Sequence, residues 1–187
     1  MIFWITHFLA WTVLLLELYL LAVKRSGDPG RSSDGGTLRI VWVLIGCGCL
    51  AGFLLAPRLT FFHWPNKLVI VLVADLLMSA GILLRVAAIL HLGKYFTVDV
   101  NIQEGQHLIQ DGPYRFVRHP SYSGSVLAFV GLACLTFNWL GFIAIIACSL
   151  VAYTLRISVE EKVLLENFGD EYRRYAERTK RLIPGVF

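Results

Sequence analysis

Apolar residues run along this chain in five blocks separated by polar intervals. The first, Ile2–Val23, would rise about 33 Å as a helix, enough to cross the hydrocarbon core of a bilayer. Residues 24–39, rich in Gly, Ser and Asp, read as a solvated loop. A shorter block, 40–56, is closed by Pro57, and a loop at 58–67 with Phe62 and Trp64 at interfacial positions leads into a third block, 68–90. The longest polar interval, 91–121, precedes a nearly unbroken apolar run over 122–137 and 139–155. As one helix that run would extend roughly 50 Å, too far for a single crossing, so Asn138 with Gly141 marks a tight helical hairpin. Five crossings follow. Past residue 155 the period changes: Val159, Val163, Phe168, Tyr172 and Tyr175 recur at helical spacing among charged residues. This predicts a separate amphipathic helix, opened by a Ser158–Glu161 capping box and interrupted at Gly169.

Composition agrees with the pattern. The 187 residues are 57% hydrophobic and 16% charged, against roughly a quarter charged in soluble domains. The expectation is an all-α membrane protein forming one domain over 1–187, with no removable signal peptide. Its net charge of +4 follows membrane topology rather than nucleic-acid binding: fourteen of the 17 Lys and Arg residues fall in 24–39, 91–121 and 156–187. Arg58 and Lys67 lie on the other face, and Arg85 lies within a span. The positive-inside rule then puts the N-terminus outside and both 91–121 and 156–187 in the cytoplasm.

Several residues inside the spans need explaining. Glu17 is an intramembrane carboxylate, either a functional group, a residue near the headgroups, or the partner of another helix. Asp75 and Arg85 are too far apart along one helix to bridge each other, so each faces a partner helix or an interface, or Arg85 lines a site with His91. Cys47, Cys49, Cys134 and Cys148 read as buried helical thiols, with no metal-ligand context. Gly46, Gly48 and Gly52 would permit close helix approach.

One stretch holds more chemistry than a span requires: Gly112-Pro-Tyr-Arg-Phe-Val-Arg-His-Pro-Ser-Tyr-Ser-Gly124. Pro120 suits the first turn of a helix and biases His119 towards extended backbone, leaving its imidazole in the polar loop with Tyr114 and Tyr122 nearby. Arg156 and Glu160, four residues apart, share a helix face at the end of the last span. They form either a structural ion pair or a guanidinium fork for a carboxylate beside an acceptor for a cationic ligand. No HExxH, CxxC, Walker or GxGxxG pattern is present, so a metal site or a Rossmann-bound nucleotide is not expected.

That stretch, followed by Arg156-Ile-Ser-Val-Glu-Glu161, by Phe168-Gly-Asp-Glu-Tyr172 and Tyr175, and by Arg181-Leu-Ile-Pro184, resembles the isoprenylcysteine carboxyl methyltransferases. The resemblance covers residues 99–184. It implies an integral-membrane enzyme using S-adenosylmethionine, with the cofactor pocket built by the cytoplasmic loop, the start of the fourth span and the C-terminal helix. By position it implies cofactor contacts from Gln106, His107, Leu108, Ile109, Tyr114, His119, Pro120, Ser121, Tyr122 and Glu160, with Asp99 at the loop start. Arg156 matches the family arginine assigned to the substrate, so Arg156 and Glu160 are the candidate catalytic pair. Eukaryotic members typically carry a second arginine where this chain has Thr154, and commonly His where it has Gln106.

The flexible loop and short spans suit a member of a prokaryotic inner membrane, which leaves the lipophilic acceptor open. A carboxylate acceptor, as in prenylcysteine methylation, is favoured. A phospholipid amine is the alternative, and for an amine Glu160 or Glu161 would be the candidate base. Further alternatives are an NADPH-dependent sterol-type reductase and a non-enzymatic membrane scaffold.

Overall fold

The computed structural model describes residues 2–23, 36–59, 64–100 and 102–186. Five helices dominate: α1 (Ile2–Val23), α2 (Thr37–Leu50), α3 (Lys67–Leu92), α4 (Pro120–Cys134) and α5 (Trp139–Arg178). Three helical runs, Thr37–Leu55, Lys67–Tyr95 and Trp139–Arg178, are long and apolar enough to cross a membrane, and Trp4–Leu20 and Pro120–Cys134 are shorter apolar helices. Phe62 and most of the 24–39 loop fall outside the described residues.

The second block starts earlier than its hydropathy suggests, at Thr37, and ends irregularly. A π-turn at Ala51–Leu55 and a 3₁₀ turn at Ala56–Arg58 relax the helix where Pro57 has no N–H to donate. The break after α4 is made by Phe137, in the left-handed region at φ 50°, and by Asn138. The Asn138 side chain caps α5 by accepting from the N–H groups of Leu140 and Gly141, and its amide donates to the carbonyls of Ala56 and Leu59, each at 3.1 Å. One buried side chain thus closes the α4–α5 hairpin and the end of α2 together.

The spans are sorted by which face is apolar and small. On α3, Leu76, Leu83 and Leu90 recur every seven residues and are exposed, as a lipid-facing stripe requires, while Ala74, Met78, Gly81, Arg85 and Ala88 are buried on the opposite side. A Cβ placed at Gly81 would lie 2.5 Å from the Ala128 nitrogen and 2.6 Å from the Gly124 oxygen, so α3 and α4 touch backbone to backbone. Gly48 in α2 and Gly52 in the turn after it likewise let α5 approach closely, against the side chains of Cys148 and Ile145 and the carbonyls of Ala144 and Gly141. Gly46 does not: it is exposed and has open space around it, because it sits on the lipid side of α2. The thiols divide likewise, with Cys134 buried, Cys49 and Cys148 half-buried and Cys47 exposed.

The polar residues inside the spans pair between α1 and α3. Thr6 donates to Asp75 at 3.0 Å, and Arg85 donates to Glu17 at 2.7 Å. These two contacts advance together along both helices, so α1 and α3 run in the same direction, as two spans separated by one crossing must.

The amphipathic C-terminal segment is not a separate helix. The last span and this segment are one helix as far as Phe168, and the Ser158 hydroxyl donates back to the Thr154 carbonyl at 2.9 Å instead of capping anything. Nothing between Arg156 and Glu161 breaks helical geometry, so a capping box has no helix start to serve. The break comes at Gly169 (φ 50°, ψ −122°), which turns the final two turns back over the 93–119 loop.

Candidate active site

The loop between α3 and α4 folds on itself before it forms a site. Gln103 donates to the Lys94 carbonyl at 2.8 Å and Tyr95 to that of Gly105 at 3.2 Å. A 3₁₀ turn at Gly112–Arg115 seats Tyr114 in the interior. Gly112 is required there twice over, by its φ of 54° and by the His91 ring, which a Cβ would meet at 2.5 Å. His91 pairs with Asp111 at 2.8 Å on the surface and holds that carboxyl below its usual range; it does not join Arg85 at a site.

Pro120 opens α4 at its first helical position with His119 as the preceding residue, as their order requires. The returning chain pairs with this entry: Arg118 N–H donates to Lys180 O at 2.7 Å, and His119 N–H to Arg181 O at 3.0 Å. Glu161 fixes the arrangement from α5. One of its oxygens accepts from Arg118 at 2.9 Å and the other from Arg181 at 2.9 and 2.7 Å. Arg118 also donates to the carbonyls of Ala176 and Thr179. Burial pushes the Glu161 carboxyl up, but His119, Arg181 and Arg118 together outweigh it and hold the group well below the ordinary carboxylate range. Tyr175 donates to the Tyr114 carbonyl at 2.7 Å, and burial raises its phenol to about 12.

Between these elements lies a cavity with about 870 Å³ of empty space, its open mouth included. Asp99, Gln106, His107, Leu108, Ile109, Tyr114, His119, Ser121, Tyr122, Arg156 and Glu160 all contribute to its wall. Pro120, expected there from its neighbours, does not: it is buried at the start of α4, where it shapes the backbone and offers no surface. His119 is 3% exposed and stacks on Tyr122, with its Nδ1 3.8 Å from Glu160 and its Nε2 3.5 Å from Glu161. Tyr122 donates to Glu160 at 2.8 Å. Two buried wall atoms, His119 Nε2 and Tyr172 Oη, have no hydrogen-bond partner among the described residues. Arg118, Phe96, Thr97, Val163, Tyr172 and Tyr175 also line the cavity. Of these, Val163 was legible only as part of an apolar helix face, Tyr172 and Tyr175 as that face and as motif residues with no assigned contact, and Phe96 and Thr97 carried no sequence signal.

A second cavity, with about 510 Å³ of empty space when its open mouth is included, lies between the spans. Leu20, Leu38, Val41, Trp42 and Ile45 make its apolar wall, and Glu17, Arg85 and Arg156 stand among its polar residues. Phe96, Thr97, Ser121, Tyr122 and Arg156 line both cavities. Arg156, 3% exposed, is held at this junction by donating to Thr37 at 2.7 Å and to the Val98 carbonyl.

A bundle of apolar helices thus joins a polar, aromatic pocket to a more apolar chamber. The sequence model of the phospholipid methyltransferase family matches residues 69–171. Protein-S-isoprenylcysteine O-methyltransferase A of Arabidopsis thaliana is 30% identical over 139 residues, covering 73% of this chain and 68% of that protein. Methanethiol S-methyltransferase 1 of Bradyrhizobium diazoefficiens is 41% identical over 71 residues, 38% of this chain and 24% of that protein. A solved structure, that of a eukaryotic intramembrane Ras methyltransferase of the isoprenylcysteine carboxyl type, superimposes with a TM-score of 0.56 at 28% identity, covering 80% of this chain and 51% of the other. The chain thus spans about two thirds of the plant relative and about half of the solved one. It belongs to the isoprenylcysteine carboxyl methyltransferase branch of the phospholipid methyltransferase family and is a membrane methyltransferase.

Proposed function

We propose that this enzyme transfers a methyl group from S-adenosylmethionine to the carboxylate of a lipophilic, prenylcysteine-like acceptor, as one membrane domain with its donor pocket open to the cytoplasm. One observation carries the reading: the polar pocket and the apolar chamber share a wall at Ser121, Tyr122 and Arg156, so two ligands of opposite polarity would meet there.

The residues of the pocket fit the donor. A nucleoside needs flat apolar walls and polar groups for its ribose, which Tyr95, Tyr172, Leu108 and Ile109 with Asp99 and Gln106 provide. His119, stacked on Tyr122 in the wall with its Nδ1 3.8 Å from Glu160, adds a polar ring beside that carboxylate. Glu160, bonded to Tyr122 on one side, offers a carboxylate to a cation. When bound, S-adenosylmethionine supplies a methyl group on a positively charged sulfur.

Arg156 and the enclosure provide what remains. A site that excludes water would favour transfer of that methyl group to a carboxylate, because water stabilises separated charges more than a dispersed transition state. Arg156 orients the acceptor carboxylate without a general base, since a carboxylate is ionised at neutral pH. Its prior bonds to Thr37 and Val98 keep it from forming the tight bidentate pair that would blunt the nucleophile.

Calorimetric titration of the detergent-purified enzyme with S-adenosylhomocysteine and with NADPH tests the donor. Binding of the former alone is expected, and binding of NADPH alone would refute the proposal. A labelled-methyl assay with a farnesyl thioether of N-acetylcysteine against a phospholipid amine tests the acceptor, with label expected on the carboxylate.

A further inference from the structure

The chain beyond α5 packs against a span. Past Arg178 it turns back beside the entry of α4, where Val117 and Lys180 form a parallel bridge and His119 N–H donates to Arg181 O at 3.0 Å. It then runs along that helix, since Ser123, in the first turn of α4, donates to the Leu182 carbonyl at 2.6 Å. Leu182 is buried there, and a turn closed by Val186 N–H on Ile183 O at 3.1 Å follows.

This position decides what surrounds residues 183–186. The 15 residues of α4 rise about 22 Å, less than the roughly 30 Å of a bilayer's hydrocarbon core. A helix so short cannot lift its first turn clear of the membrane, so whatever packs on that turn sits at the boundary of headgroups and acyl chains. The side chains agree. Ile183 is 55% exposed, Val186 72% and, on the paired segment, Phe116 64%. Exposed singly such residues need no account. Three of them on two paired segments at the end of a span make an apolar edge of the kind the interface takes up.

Charge indicates which lipid. Neither 112–119 nor 179–187 contains an Asp or Glu, and together they carry four Lys and Arg residues. Arg118 and Arg181 are taken by Glu161 of α5. Arg115, next to Phe116, and Lys180, three residues before Ile183, are exposed and enter no ion pair among the described residues. Unpaired cations beside an apolar edge at the membrane surface suit headgroups of net negative charge.

The same segment belongs to the covering of the donor pocket. Arg118 donates to Thr179 O, Glu161 ties Arg181 to α5, and His119, whose N–H holds Arg181 O, lines the pocket. Holding residues 182–186 at the membrane surface therefore holds one end of the cover, whose other end turns at Gly169. We propose that residues 180–186, with Arg115 and Phe116, form a membrane-surface anchor for anionic phospholipid, and that this contact strengthens donor binding by keeping the cover in place. The coupling to donor binding rests on the donor reading above; the anchor itself does not.

The test places the enzyme in nanodiscs of phosphatidylcholine alone or mixed equally with phosphatidylglycerol. Arg115→Gln with Lys180→Gln removes the free charges, and Ile183→Ser with Val186→Ser removes the apolar edge; none of these side chains lines either cavity. Melting temperature without ligand and S-adenosylhomocysteine affinity are both read. Wild type should melt higher in the anionic discs and bind S-adenosylhomocysteine about fivefold more tightly there, the scale of one basic side chain at an anionic surface. The charge variant should match wild type in neutral discs and lose both gains in anionic ones. The serine variant should melt lower than wild type in both lipids. If wild type gains no stability from the anionic lipid, or the charge variant keeps that gain, the anchor is overturned; an unchanged melt of the serine variant overturns its apolar part. A gain in melting temperature without a gain in affinity supports the anchor and overturns the coupling. Should S-adenosylhomocysteine bind in neither lipid, the donor reading falls and the melting temperatures alone decide the anchor.

Discussion

Replacing Glu161 with Gln should loosen the covering of the pocket before it affects the spans. In the native protein this one carboxylate accepts three charge-assisted hydrogen bonds, one from Arg118 and two from Arg181, and so fastens the chain at 179–182 to the entry of α4. Removing one partner of a fully buried ion pair costs about 3–5 kcal/mol. Here Arg118 keeps two backbone carbonyls as acceptors, and the Arg181 side chain is 36% exposed, so about 2–3 kcal/mol is the expected loss. For a chain of this size that corresponds to a melting temperature lower by about 5–10 °C. The sign with pH follows from the depressed carboxyl. Its contribution is complete above the ordinary carboxylate range, near 4.5, and is lost as pH falls from there towards the lower folded value. Wild type should therefore lose stability on acidification below about pH 4.5, and Glu161→Gln should already be destabilised at pH 7 and lose less on going down. Scanning fluorimetry in detergent at pH 7 and pH 4, with S-adenosylhomocysteine titrated at pH 7, makes the comparison. If the variant melts within a degree of wild type at pH 7, the reasoning is refuted.

Three further outcomes are expected. His119→Ala and Glu160→Ala should weaken S-adenosylhomocysteine binding, whereas Arg156→Ala should damage acceptor turnover more than donor affinity; calorimetry beside the labelled-methyl assay would expose the reverse order. Gly124→Ala would put a Cβ 2.6 Å from the Arg85 nitrogen and force α3 and α4 apart, at a cost of about 1–3 kcal/mol seen in thermal melts; an unchanged melt would show that the close approach is not needed. Asn138→Ala removes a helix cap and two cross-links to the turn at Ala56–Leu59 that follows α2, for about 2–3 kcal/mol, and a stability near wild type would contradict that role.

The hairpin at Asn138 and the break at Gly169 were legible because each has a local cause, a capping side chain and a left-handed glycine. The end of the last span was not. Hydropathy falls at Arg156, which suggested a new helix, but backbone hydrogen bonding does not respond to polarity and α5 continues without a break to Gly169. Glu161 shows the same limit: its spacing from Ser158 matched a cap, while its partners, Arg118 and Arg181, lie 43 and 20 residues away along the chain.

The chain alone determined that this is a helical membrane protein with five apolar segments, because burying backbone in lipid leaves helices as the only open-chain solution and makes each span a local property of composition. The motif residues at 99–160 were likewise readable one at a time. Which of them meet was decided in three dimensions. Close backbone contact at Gly81 and Gly124 sets α3 against α4, and the turn at Gly169 brings Tyr172 and Tyr175 over the loop. Pairing of Arg85 with Glu17 across 68 positions, and their place in the chamber with Arg156, depend on how the helices rotate against one another. No local pattern encodes that rotation, because the interhelical contacts that fix it join residues far apart in the chain.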